Sequence, residues 1–172
     1  MGPYKEVKSF SLTEAAYVAG LIDGEGTISL TRKHRIDNRQ LVVSISSTER
    51  HMLEYVRDVV GAGRITNKRT YQPNHSPSFT YTITNRQALT LLKQIAPYLR
   101  SYKVDRANLI LEHYLRLTPR NGRYSIQLTR ERETFIQQFL SLRPEGMQQT
   151  LGVEELIFPP FQIVSVCKNQ EP

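Results

Sequence analysis

Tryptophan is missing and cysteine occurs once, as Cys167. A single cysteine excludes an internal disulfide and any zinc site built from several thiolates; near the tail it reads as inert. No apolar run approaches the ~20 residues of a membrane span, so no membrane partner is expected. The opening residues, MGPYKEVKSF, lack a signal-peptide core and the Arg/Ser-rich character of a transit segment. Internal repeats and low-complexity tracts are missing as well, and the four histidines show no metal-ligand spacing. Acids are scarce in one region above all. Between Gly26 and Arg86 ten lysines and arginines face four acids, which concentrates most of the net +7 in about a third of the chain. Such a block suggests a polyanionic partner, with a solvated basic surface as the alternative on charge alone. A length of 172 residues suits one domain with a real core.

The stretch Ser11 to Gly26, SLTEAAYVAGLIDGEG, reads as a helix. Ser11 and Glu14 have capping-box spacing. Small residues recur every fourth position, at Ala16, Gly20 and Gly24, and form a stripe along which a second helix could pack closely. Asp23 and Glu25 sit at the far end, where carboxylates oppose the helix dipole. A sequence selected for stability alone would not end a helix this way. Two helix ends that bring carboxylates together would explain it.

The chain then alternates in strand fashion over 27–33 and 41–47, with the polar turn RKHRIDNR between them. A helix is expected over 48–60, closed by Gly61. Strands follow Gly63 and run from Phe79 to Thr84, separated by a proline-containing loop. Asn85 is expected to cap a helix that stops before Pro97. A further helix spans Lys103 to Leu117, with Ala107, Leu111, Tyr114 and Leu115 inward. After the basic loop PRNGRYS, a last helix runs from Arg130 to Leu142 on Phe135, Phe139 and Leu142. In the final stretch Phe158, Phe161 and Ile163 are expected to be buried, against a partner or as an added strand.

The order is αββαββα, an α+β fold with a four-stranded antiparallel sheet and helices on one face. The other face carries short hydroxyls between long cations. Threonine forms strands readily, so polarity alone would suit a plain solvent face; the basic bias is what points to a nucleic-acid groove. Residues expected to contact DNA are Ser29, Thr31, Lys33, Arg35, Asn38, Arg39, Gln40, Ser44, Arg64, Thr66, Lys68, Arg69, Thr80 and Thr82, with Arg120 and Arg123 from the basic loop. The domain limits expected are an N-terminal arm over 1–10, the main domain over 11–145, and an extension of unassigned role over 146–172.

Val18-Ala19-Gly20-Leu21-Ile22-Asp23-Gly24-Glu25-Gly26 resembles the signature of the LAGLIDADG homing endonucleases, with Val, Gly and Glu where the signature has Leu, Ala and Asp. The resemblance covers about 10–145. It implies a curved sheet, dimerisation through the signature helices, and metal-dependent double-strand cleavage of a long, nearly palindromic DNA site. By that resemblance Glu25 is the metal ligand, with the Gly24 carbonyl as a second, for Mg2+ with Mn2+ as a substitute. Lys103 matches the family's active-site basic residue. Ser47 stands where many members orient a water; a helix cap is its other reading. One signature helix per chain implies a homodimer whose interface includes Ala16, Ala19, Gly20, Asp23 and Gly24. Each protomer would read a half-site of roughly 8–11 base pairs, from a strand rise of ~3.4 Å per residue. The setting implied is a mobile intron in an intracellular, reducing compartment, organelle-encoded or a prokaryotic cytoplasm. An RNA-binding maturase, with intron RNA as partner, and a non-cleaving DNA-binding regulator are the rival readings.

Overall fold

The structure, a computed structural model, describes residues 5–32, 34–35, 37–68, 76–120 and 122–144. Expectations for Lys33, Arg69, His75 and the 146–172 extension, including Phe158, Phe161, Ile163 and Cys167, lie outside the described residues.

The chain runs α1 (Leu12–Glu25), β1 (Gly26–Thr31), β2 (Gln40–Ser47), α2 (Arg50–Val60), β3 (Arg64–Asn67), β4 (Phe79–Thr84) and α3 (Asn85–Ile95). A 3-10 turn, Ala96–Tyr98, leads to α4 (Lys103–Leu117) and α5 (Ile126–Ser141). The four strands form one antiparallel sheet in the order β1-β2-β4-β3. The period-2 alternation puts Ile28, Leu30, Leu41, Val43, Ile45, Tyr81 and Ile83 on one face, all buried. Val18 and Ile22 of α1, Leu53 and Val56 of α2, and Leu91, Leu92 and Ile95 of α3 complete that core. No described helix is long and apolar enough to cross a membrane.

Three local expectations are corrected. Asn85 does not cap α3; it is the helix's first residue, at φ 53°, a left-handed value that Asn tolerates better than most residues. Its side chain instead accepts from the Tyr114 hydroxyl at 3.0 Å and donates to Gln40 at 3.0 Å. As expected, the α-helix stops before Pro97, at Ile95. It tightens into the 3-10 turn, whose first positions need no N–H from proline. On α4 the buried row is Lys103, Ala107, Ile110, Tyr114 and Leu117. Leu115, expected inward, is 57% exposed. Spacings of four and three keep a row facing one neighbour, whereas successive steps of four through 107, 111 and 115 drift off it. Helix α5 starts four residues earlier than expected, because Ser125 caps it by accepting from Leu128 N–H at 3.1 Å.

Tyr81 is fully buried under the sheet, and its hydroxyl donates to the Ala62 carbonyl at 2.9 Å. Burial raises the phenol's pKa far above its ordinary value. Gly63 lies against the same ring at φ 87°, where a Cβ would stand 2.6 Å from it. Backbone strain and a rigid aromatic clash therefore both exclude a side chain. Gly63→Ala is expected to cost about 3 kcal/mol. Urea unfolding should read this as a lower midpoint with an unchanged slope.

Candidate functional site

Helix α1 begins with the expected capping box. Ser11 Oγ accepts from Glu14 N–H at 3.3 Å, and the Glu14 carboxylate accepts from Ser11 N–H at 2.8 Å. Its other end is joined to β1 without a loop. A Cβ at Gly26 would lie 2.6 Å from the Ile22 backbone, so only glycine lets the strand leave the helix this abruptly. Glu25 therefore stands at the junction, exposed, and among the described residues its carboxylate makes no hydrogen bond or ion pair.

The helix end would carry a partial negative charge and unsatisfied carbonyls beside two acids. Lys103, the first residue of α4, answers that. It is 6% exposed, and its ammonium donates to the Ile22 and Asp23 carbonyls at 2.8 Å each. Burial lowers the lysine's pKa; Asp23 and Glu25 oppose that shift, and Arg106 adds to it. The Asp23 carboxylate ties down the turn before α4. It accepts from Arg100 N–H at 2.7 Å, from Ser101 Oγ–H at 2.6 Å and from Ser101 N–H at 3.4 Å.

This geometry takes Ala19 out of the expected dimer face. Ala19 is fully buried in its own chain. Asp23 lies one turn further along the same side and is spent on residues 100–101. Ala16, Gly20 and Gly24 are exposed, and a Cβ on either glycine would meet no atom within 4 Å. Thr13 and Tyr17 share that exposed side. No described group of three or more His, Cys, Asp or Glu side chains forms a metal cage. A lone exposed carboxylate beside a free carbonyl suits a hard cation that keeps waters and takes its remaining oxygens from phosphates. Glu25 and the Gly24 carbonyl fit part of the oxygen set of a hard divalent cation.

Opposite the core, the register aligns polar rows across the strands. Thr27, Ser44, Thr82 and Arg64 form one row over all four; Ser46, Thr80 and Thr66 form the next. Arg64, Thr66, Lys68 and Thr31 are exposed, while Ser29 donates to the Val42 carbonyl at 3.2 Å. Thr27 was absent from the sequence-based set, although its alternation with Ser29 and Thr31 was visible. In the β1–β2 loop Arg35 and Asn38 are exposed. Arg39 donates to the Leu30 carbonyl at 2.9 Å, and Arg132 of α5 donates to Asn38 and to the Arg39 carbonyl. Arg132 is 7% exposed and stacks 5.1 Å from the Tyr124 ring centre. Its place on the Phe135–Phe139 side of α5 was the only sequence signal. Arg120 and Arg123 are exposed between α4 and α5. Ser47 accepts from Glu49 N–H at 3.0 Å in a turn leading into α2, but the N-cap residue of that helix is Glu49, so Ser47 does not cap it.

Residues 13–96 match the family model described as a LAGLIDADG-like domain. Among solved structures, the homing endonuclease I-CvuI in complex with its target is 20% identical, with TM-score 0.63 over 81% of this chain and 87% of that one. An archaeal intron-encoded homing endonuclease complexed with DNA is 19% identical, with TM-score 0.53 over 78% and 86%. The LAGLIDADG meganuclease I-AabMI bound to uncleaved DNA is 24% identical, with TM-score 0.51 over 71% of this chain but 43% of that one. Among curated proteins no match is found. At these identities the solved structures establish a shared fold.

If Lys103 caps α1, removing its ammonium must cost stability as well as charge. Lys103→Met is expected to lower stability by about 1–3 kcal/mol, or several degrees in Tm. A solvated lysine would leave the thermal midpoint unmoved.

Proposed function

We propose that the chain is a LAGLIDADG homing endonuclease, a reading supported by the match of residues 13–96 to a LAGLIDADG-like domain and by the shared fold, and that it works as a homodimeric, sequence-specific DNA endonuclease. It makes double-strand breaks in a long, nearly palindromic site by metal-dependent phosphodiester hydrolysis, and is encoded in a mobile intron. The observation that carries this reading is the end of α1. An exposed, unpartnered Glu25 stands beside a row of small residues, Ala16, Gly20 and Gly24, with open space above both glycines.

Packing two such helices by a two-fold axis would bring two Glu25 side chains together. Glu25 and the Gly24 carbonyl would hold Mg2+, with Mn2+ able to substitute. When bound, such an ion supplies positive charge at the phosphate and eases ionisation of water. Lys103, held against the helix-end carbonyls, adds a fixed positive charge close by that offsets negative charge developing in the transition state. Its bonds to Ile22 and Asp23 keep it in place before the reaction. The polar rows read and grip the DNA. With 8 residues, β2 spans roughly 27 Å, about 8 base pairs of one half-site. The I-AabMI match covers 43% of a longer chain, which accords with two copies of this unit making one nuclease.

Glu25→Gln is expected to abolish cleavage of a site selected from a DNA library while leaving affinity within a few-fold. Near wild-type cutting in Mg2+ would remove Glu25 from the metal site. Gly20→Leu tests the interface separately. A Cβ there meets no atom within 4 Å in its own protomer, and the change replaces glycine by a better helix former, a gain of up to ~1 kcal/mol. The variant is expected to stay folded by circular dichroism, sediment as a monomer, and lose cutting of both strands.

A further inference from the structure

Residues 5–10 are strapped along α2 and α3. Lys8 donates from its N–H to the Val60 carbonyl at 3.0 Å and from its ammonium to the Asp58 carbonyl at 2.9 Å. Gln94 of α3 holds the arm twice, donating to the Lys8 carbonyl and accepting from Phe10 N–H, each at 2.9 Å. Gln87, two turns earlier on the same helix, donates to the Lys5 carbonyl at 2.5 Å. Val7 and Phe10 pack against the core. At Lys5 the strap uses only backbone and leaves the side chain uncommitted.

Lys5 borders a cavity of about 430 Å3 beside the polar side of the sheet, walled also by Arg64, Gln40, Gln87, Thr82 and Thr84. Gln40, Thr82, Thr84 and Arg64 share the polar alternation opposite the buried Leu41 and Ile83. No acid lines this cavity. Among the described residues neither the Lys5 ammonium nor the Arg64 guanidinium forms an ion pair. Two free cations with amides and hydroxyls and no carboxylate make a concave surface that lacks an anion. Its volume falls among ligand clefts of ~300–1,000 Å3, more than a lone ion needs.

We propose that Lys5 and Arg64 together grip one phosphodiester of the bound DNA backbone at this margin of the sheet, with Gln87 positioning Lys5 through its carbonyl. The inference rests on the reading that the polar face carries DNA. It extends the nucleic-acid surface onto the N-terminal arm and gives Lys5 a role in affinity, independent of base sequence.

The test is DNA binding by the full chain as a function of salt, for wild type, Lys5→Gln, Gln87→Ala and Arg64→Ala. Lys5→Gln is expected to lower the slope of log affinity against log salt by about 1 per protomer. It should weaken target and unrelated DNA by the same factor, with Tm unchanged. Gln87→Ala should lower the slope in the same direction by less. If Arg64→Ala lowers the slope and Lys5→Gln does not, the inference fails and the DNA-binding face stands. If neither does, the reading of that face falls and takes the inference with it. A loss confined to one base position, or Lys5-dependent saturation of the free protein by micromolar nucleoside monophosphate, would also overturn it.

Discussion

An ammonium set against the end of a helix holds this structure together at the place that matters. Two carboxylates and a row of small residues make the C-terminus of α1 a poor place to stop. Lys103 donates to the Ile22 and Asp23 carbonyls, and Asp23 in turn fixes the Arg100–Ser101 turn that delivers Lys103. Each half of this arrangement positions the other, across nearly eighty residues of sequence. The helix end is stabilised from within its own chain, so Glu25 needs no internal partner and remains open to solvent. Charge strain that would otherwise be a defect becomes a fixed electrostatic environment.

The two sides of α1 divide its labour. Ala15, Val18, Ala19 and Ile22 seal the protomer's core, while Ala16, Gly20 and Gly24 leave a shallow, unfilled track. The sheet leaves the helix at Gly26, one residue after Glu25, and the first polar row begins at Thr27. The proposed cutting residue and the proposed reading surface are thus separated by one glycine, too short a connection to flex. Where the sheet settles on DNA would fix where the carboxylate sits. The bonds of Arg132 to Asn38 and to the Arg39 carbonyl, 94 and 93 residues away in sequence, brace the far end of the same surface.

Elements with strong local signals were readable from sequence. The Ser11–Glu14 box, the alternating strands and the left-handed Gly61 that closes α2 all depend on residues near one another in the chain. The α1 stripe of Ala16, Gly20 and Gly24 was legible as a pattern, but Ala19, expected beside it at the interface, is buried in its own chain, since small size alone does not say which face the core takes. Asn85 looked like a cap by type, whereas its partners, Tyr114 and Gln40, lie 29 and 45 residues away. The α4 face was misread at Leu115 because only its neighbours distinguish adjacent apolar rows. Lys103 could be marked by resemblance; its burial and its two carbonyl partners could not, because α1 and α4 meet only in the folded chain.

The central claim is that the reaction centre is completed by two chains at a two-fold axis, each contributing one Glu25. The most direct measurement joins two chains covalently, one wild type and one Glu25→Gln, and follows cleavage of each strand of the target separately. The joined pair should fold, bind with near wild-type affinity, and lose balanced cutting, so that one strand is nicked much faster than the other or neither is cut. Equal cutting of both strands at the wild-type rate would contradict a shared centre and the account built on it.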